Sequence, residues 1–154
     1  MEGKISDVYG NRVRVRICGL CWRNSDLLLV NHRGLSHGDF WAPPGGGLEF
    51  GESTEERLRK EFREETGLII TPGQFMFGCE FLEKPLHAIE LFFEVSVQEG
   101  TLQKGNDPEV DIIKAVKFMT PGEISDIPPQ HLHGIFRLVD SPEELKTLTG
   151  FFGI

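Results

Sequence analysis

The chain has 154 residues, 39% of them hydrophobic and 26% charged, proportions that are ordinary for one water-soluble globular domain. Its formal net charge of −8 argues against non-specific binding to nucleic acid, which needs a basic surface. No apolar run approaches the roughly 20 residues of a membrane span, and the N-terminus lacks the apolar core of a signal peptide. We therefore expect a single cytoplasmic domain over residues 1–154, with neither a nucleic-acid polymer nor a membrane as its partner.

The first third of the chain predicts two strands followed by a loop. From Arg12 to Ile17, arginine alternates with apolar residues, which is the period of a half-buried strand. The arginine row could meet phosphate, but the pattern favours the solvated face of a strand. The segment "LLLVNH" predicts a second strand, covered on both faces. Two prolines followed by three consecutive glycines, at the end of residues 33–47, then predict a loop without regular structure.

Cys18 and Cys21 form a C-x-x-C pair, which raises the possibility of a zinc or redox site. They lie in a β-branched alternating segment, where residues three apart point to opposite faces of a strand. Only Cys79 remains as a further thiol. The spacing therefore favours buried cysteines inside a strand over a metal site.

A helix over residues 54–66 is predicted by the signals at its two ends. Ser53 is an N-cap residue, and Glu56 three positions later completes a capping box. Gly67 supplies the C-terminal stop.

The chain beyond this helix predicts a mixed sheet between helices. Three apolar segments are predicted strands, at residues 74–83, 88–97 and 110–119. Thr120 begins a short predicted helix with proline at its first position, and further helices are predicted at residues 134–139 and from Ser141. Strands and helices intermix without a regular βαβ rhythm, which favours an α/β domain with a mixed sheet.

The predicted helix carries its carboxylates at the margin of its buried face. Glu61, Glu64 and Glu65 fall within one arc of about 100°, because positions three and four apart are neighbours on a helix. Leu58 and Phe62 form a narrow apolar stripe beside them. The alternative interpretation is an ordinary solvated helix held by ion pairs four residues apart. Against it, three adjacent carboxylates near a helix C-terminus are disfavoured by the helix dipole.

The spacing of the whole stretch resembles the Nudix box. That box reads glycine, five residues, glutamate, seven residues, then R-E-U-x-E-E-x-G-U, where U is a bulky apolar residue. Gly46, Glu52 and the run from Glu61 to Leu68 follow this pattern. The resemblance implies an α/β/α sandwich with a mixed β-sheet between helices. Lys60 departs from the box, because the family has arginine there, and lysine lacks the forked geometry of a guanidinium group. Arg59 or Arg63 is a candidate substitute.

The resemblance also implies an activity, the hydrolysis of a nucleoside diphosphate linked to another moiety, within the diphosphate. Mg²⁺, or Mn²⁺ in its place, would neutralise phosphate charge during attack by water. Glu61 is a candidate general base, Lys60 would orient it, and Glu52 would brace the loop against the helix. The implied metal ligands are the carboxylates of Glu61, Glu64 and Glu65, with a backbone carbonyl of Gly45 or Gly46.

A further carboxylate from a loop after the box is expected to join the metal. We choose Glu109, with Asp107 and Asp111 as close rivals. His131 and His133 could form a metal pair, but surface histidines are the favoured interpretation.

The sequence says less about the substrate than about the reaction. Arg33, Phe40 and Trp41, which precede the box, are candidate substrate contacts, although an aromatic residue there can equally be a structural plug. Pro85 lies at the distance from the box that goes with ADP-ribose in the family. A nucleoside triphosphate and a nucleotide sugar are the other possible substrates, and the family resemblance makes a homodimer possible.

The alternative to hydrolysis is a nucleotide-binding sensor with the same fold and little activity, and Lys60 is the residue that favours it. A structural domain with a salt-bridged helix is the third possibility.

Overall fold

The structure is a computed structural model that describes residues 9–32, 38–104 and 113–154. Arg33, Asp107, Glu109 and Asp111 lie outside these ranges. Within these described residues, the main elements are eight strands and two α-helices. In chain order they are β1 (Arg12–Arg23), β2 (Asp26–His32), β3 (Trp41–Ala42), β4 (Gly45–Gly47), α1 (Thr54–Thr66), β5 (Ile69–Glu83), β6 (Leu86–Glu99), β7 (Ile113–Met119), α2 (Pro121–Ser125) and β8 (Phe151–Gly153).

The eight strands form one mixed sheet around β1. Strand β1 runs parallel to β6, and β5 then pairs antiparallel with β6 and parallel with β8. At its C-terminal end β1 pairs with β2, which also carries β3 and β7. Strand β4 pairs antiparallel with β1, so that Ile17 lies opposite Gly46. This pairing brings the three glycines to the middle of the sheet.

Hydrophobic cores lie on both faces of this sheet, which confirms the predicted α/β layering. On one face, Leu58 and Phe62 of α1 pack with Ile17. On the other face, Ile124 of α2 packs with Leu20 and with side chains from 3₁₀ turns at Gly134–Arg137 and Pro142–Thr147. The two C-terminal helices predicted from sequence are therefore 3₁₀ turns, and β8 was not predicted.

The two ends of α1 agree with the sequence. The Oγ of Ser53 accepts a hydrogen bond from the Glu56 N–H at 3.1 Å, and Gly67, at φ 74°, donates its N–H to the Arg63 carbonyl at 3.1 Å. Cys18 and Cys21 are buried in the cores on opposite faces of the sheet, as their spacing predicted. Among the described residues, no helix is long and apolar enough to cross a membrane.

In the N-terminal half of β1, here called its outer half, the valines and arginines face the opposite way from the prediction. Val13 and Val15 are 59% and 37% exposed, whereas Arg14 and Arg16 line a cavity. The predicted solvated arginine face is therefore wrong for these two arginines. Period-two alternation separates two faces, but it does not say which face the rest of the chain covers. The predicted loop at residues 33–47 also contains regular structure, because β3 and β4 pair with the central strands.

Candidate active site

A cavity of about 620 Å³ opens where the outer half of β1 meets β4 and the start of α1. The 3₁₀ turns after α2 close its other side. Side chains of both charges line it, among them Arg14, Arg16, Arg57, Lys60, Glu61, Glu90 and Arg137, together with His133.

The peptide group of Gly45 is held from both sides of this cavity. Its N–H donates to Glu65 Oε1 at 2.9 Å, which ties strand β4 to helix α1. Its carbonyl accepts from Arg16 Nη2 at 3.3 Å, which ties the same peptide to β1. The glycine strand is thereby fixed relative to the carboxylates of the helix.

Arg57 is the central cation on the helix side. The side chain is 4% exposed, and its Nη1 lies 2.6 Å from Glu61 Oε1. Its Nε and Nη2 donate to the two oxygens of Glu52, at 2.5 and 3.0 Å. This hydrogen bonding lowers the pKa of Glu52. Glu52 Oε1 also accepts the N–H of Glu49 at 2.7 Å, so Glu52 braces the loop against the helix.

Lys60 was expected to orient Glu61, but it does not take that role in the structure. It is exposed, lines the cavity, and makes no salt bridge with any residue that the structure describes. Arg59 donates to the Ile70 carbonyl at 2.9 Å, and Arg63 is exposed on the helix. Neither proposed substitute therefore takes the part expected of the box arginine; the contact to Glu61 comes from Arg57 instead.

The three carboxylates predicted as metal ligands have different surroundings. Glu61 lies against Gly46 so closely that a Cβ on that glycine would be 2.2 Å from Glu61 Oε1. Glu65 accepts from the Gly45 N–H, as described above. Glu64 Oε2 is buried and has no hydrogen-bond partner in the described parts of the chain.

This donor set fits a hard divalent cation. A buried carboxylate oxygen without a partner is costly, and oxygen ligands are those that Mg²⁺ prefers. Within residues 9–32, 38–104 and 113–154, however, no three His, Cys, Asp or Glu side chains are already grouped around a common point that could hold an ion. Glu61 is turned instead toward Arg57.

A buried network of three side chains forms the floor of the cavity. Glu90 accepts from Arg16 Nη1 at 2.6 Å and from His133 Nε2 at 2.9 Å. The Ile135 N–H donates to His133 Nδ1 at 3.1 Å, so Nδ1 carries no proton and the neutral imidazole donates through Nε2. Burial alone would raise the pKa of Glu90, but the hydrogen bonds from His133 and Arg16 and the charge of Arg16 outweigh burial and hold the pKa below its usual range.

Sequence reasoning missed this network. The signal that could have found Glu90 is an acidic residue inside the apolar segment "AIELFFEV", because a carboxylate on a buried strand needs a partner. His133 is 6% exposed, so its interpretation as a surface histidine is wrong. His131 Nδ1 instead donates to the Asp39 carbonyl at 2.8 Å, and the two rings have separate partners.

The two aromatic residues predicted to contact substrate have different positions in the structure. Phe40 lines the cavity, with its ring centroid 6.2 Å from that of His133. Trp41 packs against the hydrophobic core and is not among the described residues that line the cavity. Of the two aromatic residues, Trp41 therefore has the structural role. His32, which the sequence did not single out, also lines the cavity, and burial lowers its pKa to about 3.

Arg14 places a cation beside the glycines. Its guanidinium group lies 3.9 Å from the centroid of the Tyr9 ring, and its Nη2 would be 3.0 Å from a Cβ on Gly47. The cavity therefore has the Glu61 carboxylate of α1 beside Gly46 and the Arg14 guanidinium group beside Gly47, while Glu64 and Glu65 are not among the described residues that line it.

Comparison with known proteins agrees with this arrangement. A family model described as "NUDIX domain" matches residues 10–139. The chain is 30% identical over 95 residues to an "ADP-ribose pyrophosphatase" from Methanocaldococcus jannaschii, covering 60% of this chain and 56% of that protein. It is 46% identical over 72 residues to "Nucleoside triphosphatase NudI" of Salmonella heidelberg, covering 42% of this chain and 50% of the relative. The chain thus spans about half the length of the curated relatives it matches.

Solved structures share the fold at lower sequence identity. A MutT NUDIX hydrolase from Burkholderia pseudomallei has a TM-score of 0.70 at 19% identity, covering 90% of this chain and 99% of the other. A NUDIX hydrolase from Nitrosomonas europaea has a TM-score of 0.71 at 19% identity, with 82% and 85% covered. Since the family model spans most of the chain and Gly46 meets Glu61 of α1 at the cavity, this chain belongs to the NUDIX family.

Proposed function

We propose that the protein is a divalent-cation-dependent pyrophosphohydrolase that cleaves the diphosphate linkage of a nucleoside diphosphate derivative in the cytoplasm. One observation carries the proposal: the Glu61 carboxylate of α1 and the guanidinium group of Arg14 line the same cavity, beside Gly46 and Gly47 of the glycine strand. A diphosphate needs both kinds of partner, because cations must offset its negative charge while carboxylates hold the metal ions.

The residues that would hold the cation are Glu61, Glu64 and Glu65, with the carbonyl of Gly46 beside them. When bound, Mg²⁺ or Mn²⁺ would supply the positive charge that makes phosphorus open to attack by water. Glu61 is the candidate to accept a proton from that water, since it lies at the glycine strand. Glu65 fixes the Gly45 peptide, and Arg14 would contact a phosphate oxygen. Because Glu109 lies outside the described residues, its role as a further ligand stays a prediction.

The cavity volume of about 620 Å³ lies within the range of small-molecule sites and suits a nucleoside with its phosphates. The relatives are named for ADP-ribose and for nucleoside triphosphates, so these are the two substrate classes that we propose. Phe40 offers a ring on which a base can stack, while Arg137 offers a second cation.

The test is phosphate release from ADP-ribose, nucleoside triphosphates, nucleotide sugars and dinucleoside polyphosphates, each with Mg²⁺, with Mn²⁺ and with chelator. We expect metal-dependent turnover of ADP-ribose or a nucleoside triphosphate. Glu64→Gln should remove that turnover, and the matched control Glu55→Gln, an exposed glutamate of the same helix, should keep it. If no substrate is cleaved while Mn²⁺ still raises the melting temperature, hydrolysis is wrong and the sensor alternative is favoured.

A further inference from the structure

The cation that contacts Glu61 in this chain stands at a different position of helix α1 from the arginine of the family pattern. The box has arginine at the position of Lys60, but the guanidinium group that reaches the carboxylates in this chain belongs to Arg57, one turn earlier. Arg57 is buried at 4% exposure, whereas Lys60 is exposed at the cavity.

The geometry of Arg57 is suited to fixing a side chain rather than to supplying charge alone. Its guanidinium group uses Nε and Nη2 on Glu52 and Nη1 on Glu61, so one rigid plane sets the position of both carboxylates. Glu52 is itself held by the Glu49 N–H, so Arg57 is anchored at its far side. A lysine keeps the charge but has no planar fork, and it cannot reproduce these three contacts.

We propose that Arg57 is the positioning residue that holds Glu61 against Gly46, and that Lys60 is thereby released to contact an anionic group of the substrate. The inference rests on the proposed function of the site. It makes Arg57 a competitor for Glu61 as well, because the guanidinium group and a bound cation would share the same carboxylate.

The assignment predicts opposite kinetic effects for the two residues. Loss of the Arg57 fork acts on kcat, because Glu61 is misplaced in the complex with substrate. Loss of the Lys60 ammonium group acts on KM, because a flexible exposed cation contributes binding charge but sets no geometry.

The experiment compares Arg57→Lys, Arg57→Ala and Lys60→Ala, with Arg63→Ala as the control for removing an exposed arginine of the same helix. We measure kcat and KM on the best substrate of the panel, Mn²⁺ affinity by electron paramagnetic resonance, and the melting temperature. Arg57→Lys should lower kcat at least about tenfold, while Mn²⁺ affinity stays within about twofold of wild type. Lys60→Ala should raise KM several-fold at a kcat near the wild-type value.

Arg57→Ala separates positioning from general support of the fold. Removal of a competing cation beside Glu61 should tighten Mn²⁺ binding by about tenfold, even as kcat falls. If the role of Arg57 were purely structural, Arg57→Ala would instead weaken Mn²⁺ binding and lower kcat together. If Arg57→Ala fails to fold, Arg57→Lys carries the kinetic test alone.

Three results would overturn the inference. One is a wild-type kcat in folded Arg57→Lys, and another is a Lys60→Ala variant that loses kcat as Arg57→Lys should. The third is a folded Arg57→Ala whose Mn²⁺ affinity is unchanged or weaker. If wild-type protein cleaves no substrate, the proposed function fails, and the Mn²⁺ measurement still decides whether Arg57 shares Glu61 with the cation.

Discussion

The three adjacent glycines of β4 should respond to alanine in three different ways, because each would place its Cβ against a different kind of neighbour. At Gly46 the new Cβ would be 2.2 Å from Glu61 Oε1 and 2.4 Å from its Cδ. The carboxylate is the end of a flexible side chain, so Glu61 can retreat by about 1.2 Å to reach an ordinary contact of 3.4 Å. In Gly46→Ala, the backbone of β4 can therefore keep its position, while the Glu61 carboxylate is displaced.

We expect Gly46→Ala to be a folded protein with little activity. A displacement of about 1 Å at a reacting group can lower the rate roughly 100-fold, equivalent to about 2.7 kcal/mol of activation free energy. Stretching the hydrogen bond between Glu61 and Arg57 costs at most about 1.5–3 kcal/mol of stability, the value of a hydrogen bond to a charged group.

The neighbouring glycines supply the comparison. A Cβ on Gly45 would lie 2.6 Å from the Ile17 carbonyl oxygen and 2.9 Å from Cys18 Cα, and neither backbone atom can move without disturbing β1. Gly45→Ala should therefore lose about 3 kcal/mol or more of unfolding free energy. The nearest atoms to a Cβ on Gly47 would belong to the Arg14 side chain, with Nη2 at 3.0 Å, so Gly47→Ala should raise KM several-fold at a near-normal melting temperature.

The assay combines thermal unfolding with kcat and KM for all three variants. Gly153→Ala is the inert control, because a Cβ there would have no atom of the described residues within 4 Å. A wild-type kcat in Gly46→Ala would refute the placement of Glu61 in the reaction. A melting temperature of Gly46→Ala as low as that of Gly45→Ala would show that the clash is not absorbed by the side chain.

Three other perturbations follow from buried charge. Glu64→Gln should match or exceed the wild-type melting temperature without metal while losing most of the stabilisation by Mn²⁺, and a thermal shift equal to wild type would contradict the ligand assignment. Because burial lowers the pKa of His32 from 6.5 to about 3, the unfolded chain takes up a proton on acidification that the folded chain does not. Unfolding free energy should then fall by about 2 kcal/mol from pH 7 to pH 5, and denaturant titrations of His32→Gln should show a clearly smaller loss. Glu90→Gln should lower unfolding free energy at pH 7 by about 3 kcal/mol, because Arg16 loses its charged partner; calorimetry showing no change would mean that the pair is not formed in solution.

Sequence alone determined the parts of the site that depend on neighbours along the chain. Ser53 and Gly67 delimit the helix through hydrogen bonds to residues three and four positions away. Glu61, Glu64 and Glu65 share one side of that helix because of its period. The glycine-to-glutamate spacing then indicated that a bare backbone segment meets these carboxylates, and the contact between Gly46 and Glu61 is the result.

Only the tertiary structure decided which cation contacts Glu61. Lys60 precedes Glu61 in the chain and Arg57 lies one helical turn away, and the choice between them depends on which side chain is buried. Arg57 is covered and finds Glu52 across the turn, while Lys60 is left at the cavity wall. The alternation of β1 likewise defined two faces without saying that the arginines would face inward. The side chains that form the cavity floor are 74 and 43 residues apart, in the pairs Arg16–Glu90 and Glu90–His133. No local pattern records such a pairing, since it exists only once β1, β6 and the C-terminal turn lie side by side and exclude water from the charges between them.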